Sequence, residues 1–197
     1  MRLLTASRSP GALSGMLAIL LLLAGTNAPA RAAETLDTEY YTAPIGRDES
    51  LLAALNRATP IRQGGQVFHG YTRWHVDWRF YWDSDAGGCR IVRAETSLRG
   101  NIQLPRIAGG TPAQQTAFAT YAAALREHEL GHYRIGQQAA AAIRARLRGH
   151  PPQPDCATLE RSANAAAHET LQEHVRRERE YDARTGHGRT QGAWLPR

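Results

Sequence analysis

The chain has 197 residues, 42% hydrophobic and 21% charged, with 18 Gly and 10 Pro. That is room for one well-cored domain, and it excludes a disordered, collagen-like or multidomain protein. The formal charge is +6 and all 24 bases are Arg, but they are scattered, and the one short cluster, Arg176, Arg177 and Arg179, is broken by Glu178 and Glu180. A nucleic-acid binder needs a basic stripe on one face, so nucleic acid is not an expected partner.

The first predicted element is a leader. Arg2 and Arg8 precede the apolar run from Met16 to Ala24, and Ala28-Pro29-Ala30 and Ala30-Arg31-Ala32 are small-x-small cleavage sites. The apolar core of about ten residues is half of the roughly 20 that a spanning helix needs. Residues 1–30 therefore read as a signal peptide rather than an anchor, and 31–197 as one exported domain, periplasmic or extracellular, with no stable membrane insertion after cleavage. Without Arg2 and Arg8, 22 arginines face 18 carboxylates. Export gives Cys89 and Cys156 a compartment in which thiols oxidise. An even pair without CxxC spacing is expected to form a disulfide and not a zinc site.

Leu36 to Tyr41 is a short predicted strand, ended by Pro44 and Gly46. Asp48 to Asn56 is a helix with Asp48 as N-cap and Leu51, Leu52 and Leu55 on one face, and Pro60 with Gly64-Gly65 marks a turn. From Tyr71 to Trp82 the even positions carry Thr72, Trp74, Val76, Trp78, Phe80 and Trp82, and the odd positions carry mostly Arg, His and Asp. That is a strand with one apolar face, and the aromatic face is expected to be core. Its polar face holds His75 and Asp77, expected to be solvated. Asp83 to Gly88 is a turn, and Cys89 to Leu104 alternates again, with Val92, Ala94, Thr96 and Leu98 on one face. Two such strands joined by a short Gly-rich loop make an antiparallel hairpin.

From Thr111 the pattern becomes helical. Thr111-Pro112-Ala113-Gln114 is a capping box with Pro at the first helical position, and the helix runs to Arg148, before Gly149 and Pro151-Pro152. A second helix is predicted from the N-cap Asp155 to about Tyr181. The expected class is α+β: an N-terminal antiparallel sheet with a short helix, then two long helices that carry the site in a zincin-like arrangement.

That site is His128-Glu129-Leu130-Gly131-His132. The i, i+4 spacing puts both imidazoles on one helix face, where they can share a zinc ion. Glu129 lies about 100° round the helix, and is the candidate general base toward a water that zinc activates. In a chain with this content of His and Glu, random order gives about 0.02 occurrences of the pattern. Gly131 inside a helix costs about 1 kcal/mol relative to Ala, so it is expected to leave room for something close to the histidines.

A catalytic zinc needs a third protein ligand and an open position. Glu169 and Glu173 on the second helix would complete a His₂Glu set, and a hairpin turning near Pro152 brings Glu169 opposite His132. Asp182 and His187 lie at the helix end, where Gly186 and Gly188 permit a tight fold-back. His168 and His174, six residues apart, cannot share an ion locally.

These features resemble the bacterial domain of unknown function 922 family, described as predicted secreted zinc-dependent proteases. The resemblance runs from Tyr40-Tyr41 through Thr72-x-Trp74-x-Val76-x-Trp78, Cys89, Ile102-Gln103-Leu104-Pro105, the His128–His132 motif and Cys156. It closes on Tyr181-Asp182-x-x-Thr185-x-His187-Gly188 with Gln191. It implies one zinc per chain, a protein or peptide substrate, and completion of the site by the closing block. His187 then ranks above Glu169 as third ligand, with Asp182 as the alternative or as a residue orienting a ligand histidine. Tyr181 would donate to a tetrahedral oxyanion or pack the helix end. The competing class is a non-catalytic envelope binding or assembly protein whose metal site is structural or vestigial.

Overall fold

The computed structural model describes residues 33–196; the predicted leader, residues 1–30, lies outside them. Strand β1 (Ala33–Ile45) leads into helix α1 (Leu51–Ala58), and two short strands, β2 (Arg62–Gln63) and β3 (Gln66–Val67), form a small antiparallel hairpin. The long strands β4 (Tyr71–Asp85) and β5 (Gly88–Gly109) follow, then helices α2 (Pro112–Arg148) and α3 (Cys156–Thr185) and a 3₁₀ turn at Arg189–Gln191. The protein is α+β, as the change of period at Thr111 predicts.

The sheet differs from the expectation in one respect. β4 and β5 are the predicted antiparallel hairpin, but β1 pairs with β5 in parallel, from Ala33↔Ser97 to Ile45↔Gly109. The sheet is therefore mixed, not antiparallel, in the order β1-β5-β4. β5 continues past Pro105, because Pro105 lies beyond the last rung to β4, Tyr71↔Gln103, where a missing N–H removes no ladder bond on that side.

A bulge accounts for a second difference. Tyr81 pairs with Arg93 and Trp82 with Ile91, so Val92 has no partner on β4. The extra residue shifts the alternation: Val92 and Trp82 turn outward, and Ile91 packs on the core in place of Val92. Before the bulge the predicted faces hold. Thr72 and Val76 are buried, Trp74, Trp78 and Phe80 half-buried, and His75 and Asp77 exposed.

Helix α2 lies on the inner face of this sheet. Val76, Ala94 and Leu98 meet Ala139, Ala140, Ile143 and Leu147 of α2 and Ala163 and Ala167 of α3. Small residues let helix and sheet approach: a Cβ on Gly136 of α2 would sit 2.8 Å from the Trp74 ring, and one on Gly100 of β5 2.6 Å from Tyr133. A second cluster joins Ala43, Leu55, Ile102 and Leu104 to Tyr121 and Leu125 at the N-terminal half of α2. The α2 capping box forms as predicted, and Asp155 caps α3. α1 is capped by Ser50 rather than Asp48, since the Ser50 side chain accepts from Ala53 N–H.

The connection between α2 and α3 is tied to the sheet. Gln153 exchanges backbone hydrogen bonds with Cys89, and Cys89 forms the expected disulfide with Cys156. No helix among the described residues is long and apolar enough to cross a membrane.

Candidate metal centre

His128 and His132 lie one turn apart on the buried face of α2, 3% and 9% exposed. Across from them α3 presents Glu178 and Asp182, also one turn apart. His128 Nε2 is 3.2 Å and His132 Nε2 3.1 Å from the same Asp182 Oδ1. The outer ring nitrogens are occupied as well. His128 Nδ1 faces Gln191 Oε1 at 2.9 Å, and His132 Nδ1 faces Glu178 Oε1 at 3.3 Å. Both outer partners are oxygen acceptors, so each Nδ1–H donates outward, and both Nε2 atoms point at one place, Asp182 Oδ1.

Trp74 Nε1–H donates to Glu178 Oε1 at 2.6 Å, so strand β4 braces His132 through that carboxylate. Around His128 the bonds close a ring. The imidazole donates to Gln191 Oε1, Gln191 Nε2–H donates to the Tyr181 oxygen at 3.0 Å, and Tyr181 O–H donates to the His128 carbonyl at 3.2 Å. The Tyr181 ring stacks on the His128 ring at 5.0 Å and 11°. This packing uses the space that Gly131 leaves, since a Cβ there would collide with the Tyr181 hydroxyl and ring.

The donor set fits a zinc-sized ion. His128, His132 and Asp182 offer one ligand atom each within 4.8 Å of one another. With bonds of about 2.0–2.1 Å, a tetrahedral ion spaces its ligand atoms about 3.3 Å apart, close to the separations from Asp182 Oδ1. His187 approaches the same oxygen at 3.5 Å through Nδ1, its side chain half in solvent. Gly186, His187 and Gly188 all have positive φ, at 57°, 53° and 83°, a conformation rare for a residue with a side chain.

Glu169 is exposed and lies 13 residues, about 20 Å of helix rise, before Asp182. The bridge at Gln153 carries the connection onward before α3 starts, so α3 meets His132 at Glu178 and Asp182 instead. Glu173 is half-buried and pairs with Arg177. His168 stands edge-on to Trp78, and His174 is buried with Nδ1–H on the Thr170 carbonyl. Neither approaches the centre.

Glu129 is 4% exposed, and Thr72 Oγ1 donates to its Oε2 at 2.7 Å. Burial raises its pKa, and the Thr72 bond and the neighbouring histidines only partly offset this. Asp182 shows the reverse. Burial works against its charge, but hydrogen bonds from His128 and His132 outweigh it and hold the carboxyl well below the usual range. Burial likewise opposes a charge on His132, yet the bonds to Asp182 and Glu178 win and push it up to about 9.

The centre lies in an open cleft of about 730 Å³ whose walls include Leu52, Phe68, Leu125 and Trp194. Tyr181 is not among the lining residues; its hydroxyl faces the back of His128. The cleft also holds a pair that the sequence did not single out. Tyr121 O–H donates to His69 Nδ1 at 2.7 Å and His69 Nε2–H to Asn56 Oδ1 at 2.9 Å, and burial pushes the imidazole down to about 4. His69 sits in a loop without periodicity, so no pattern marks it. Glu178 and Asp182 did carry a signal: carboxylates at i, i+4, matching the spacing of His128 and His132.

A family model described as a bacterial protein of unknown function (DUF922) matches residues 38–188, from β1 through His187. The chain belongs to that family. No curated protein and no solved structure matches it.

Proposed function

We propose that this member of the family is an exported zinc-dependent peptidase that hydrolyses peptide or amide bonds, with one zinc held by His128, His132 and Asp182. The observation that carries the reading is the convergence of both HExxH Nε2 atoms on Asp182 Oδ1 in an open cleft. Zinc bound there would supply a Lewis acid and bring the pKa of a water toward about 7.

Glu129 is the general base. Thr72 anchors Oε2, while Oε1 accepts no hydrogen bond from the described residues and faces Gly70, where a Cβ would sit 2.5 Å away. The raised pKa suits a carboxylate that takes a proton and hands it to a leaving amine. Tyr181 acts as a positioning residue for His128 and not on substrate. β4 is an edge strand of the sheet and carries Tyr71 and Thr72 into the cleft, which gives an extended peptide a strand to pair with. Export rests on the leader sequence and is supported by the disulfide.

The test is elemental analysis of the natively secreted protein together with Glu129→Gln on a peptide library. One zinc per chain, with cleavage lost in Glu129→Gln and zinc retained, is the expected result. No zinc after resupply sinks the reading. His187 gives the competing class its own support, since Nδ1 lies 3.5 Å from Asp182 Oδ1 and a fourth protein ligand would close the coordination shell. Zinc without cleavage of any library peptide would favour that structural or vestigial site in a binding protein.

A further inference from the structure

We infer that the cleft selects ligands bearing a carboxylate, recognised by Arg179; this deepens the peptidase reading and rests on it. Arg179 is the single arginine among the residues lining the cleft, and the chain has no lysine. Val175, Arg179 and Asp182 fall at i, i+4 and i+7 of α3, so they share the stripe that faces the cleft. Arg179 stands three residues, about 4.5 Å of rise, before Asp182.

The other charged groups lining the cleft have partners within the chain. Glu129 accepts from Thr72, Glu178 from Trp74 and His132, and Asp182 contacts three histidines. Arg179 makes no ion pair and no hydrogen bond with any described residue, and is exposed. An unengaged guanidinium on the wall of a cleft matches a planar carboxylate with two parallel N–H bonds. The opposite end of the cleft has an apolar wall beside the His69–Asn56 pair. Ala193 and Leu195 follow the C-terminus of α3 and pack with α1 and the N-terminal half of α2. A ligand crossing the centre therefore meets an apolar wall and the His69–Asn56 pair at one end and a cation at the other.

The carboxylate can be an acidic side chain or the C-terminus of a peptide. The test titrates zinc-loaded Glu129→Gln protein calorimetrically with N-acetylated Leu-Ala-Glu and Leu-Ala-Gln, each with a free and an amidated C-terminus. A carboxylate-bearing form is expected to bind about tenfold tighter than the doubly neutral one, as a charge-assisted bond implies. Whether the Glu side chain or the free terminus brings the gain identifies the source. Adding Arg179→Ala should abolish the preference, with zinc content unchanged.

Equal affinity for all four peptides, no binding of any, or a preference that survives Arg179→Ala overturns the inference. Hydrolysis by the parent protein is read separately. Cleavage without carboxylate preference leaves the peptidase reading and removes Arg179's role. Arg179-dependent binding without cleavage does the opposite.

Discussion

Gln191 and His128, 63 residues apart in the chain, are joined by a 2.9 Å hydrogen bond from the imidazole Nδ1 to the amide oxygen. The bond sets the tautomer of a proposed zinc ligand from a turn beyond the end of α3. Gln191→Ala should lower zinc affinity by about 10–100-fold, the usual cost of removing such a partner. Competition with a chromogenic chelator measures it. An unchanged affinity would mean that Tyr181 alone orients the ring.

Asp182 and His187 make separable predictions. Asp182→Ala should take zinc from one per chain to near zero, whereas His187→Ala and Glu169→Ala should keep it, as read by elemental analysis of dialysed protein. Zinc lost in His187→Ala would return the third-ligand role to His187.

The metal-free protein should have a pH optimum of stability near 6.5. The folded pKa of His132 lies above its unfolded value, at about 9, so its contribution is full below about 6.5 and lost as pH rises through 9. His69 runs the other way. Its folded pKa is about 4, so the fold loses stability as pH falls from about 6.5 toward 4. Thermal melts in chelator at pH 4.5, 6.5 and 9.5 should show the highest Tm at 6.5, by about 5 °C. Zinc should remove the alkaline fall, because the metal displaces the His132 proton.

Gly131→Ala should destabilise the protein by about 1–3 kcal/mol through overpacking and should weaken zinc binding at the same time. The added methyl collides with Tyr181, which holds His128. Chemical denaturation with a parallel chelator titration tests both. Loss of stability with intact zinc affinity would show that the Tyr181 contact does not transmit to the centre.

Removing the disulfide should separate fold from site. Cys89 and Cys156 are 67 residues apart, for which the chain-entropy model gives about 4 kcal/mol. The Cys89→Ala, Cys156→Ala pair should lower the denaturant midpoint accordingly. Once folded, it should still bind one zinc, because the bridge anchors the start of α3 and Asp182 sits near its end.

Local chemistry made much of this legible in the sequence. Thr111 and Gln114 cap one helix and Asp155 the other, and the period-2 stretch from Thr72 to Phe80 turned its apolar face to the core. Long-range register was not legible. The parallel pairing of β1 depends on which edge of β5 is open, and the bulge at Val92 appears only when two strands are aligned. Glu169 faced His132 on the assumption of a turn near Pro152, which the pairing of Gln153 with Cys89 displaces. Asp182 was within the candidate set, but ranking it needed the distance between two helices.

The closing turn also gives the chain a built-in check on its own integrity. A molecule clipped anywhere between Thr185 and Gln191 keeps the entire HExxH helix and its sheet, yet loses the amide that seats His128 and the anchor for Tyr181. A single cut in this short stretch, where Gly186, His187 and residues 189–191 are exposed, would disarm the proposed centre without severing the helices or the sheet. Metal affinity at the proposed centre would then report an unbroken closing turn as much as a folded core.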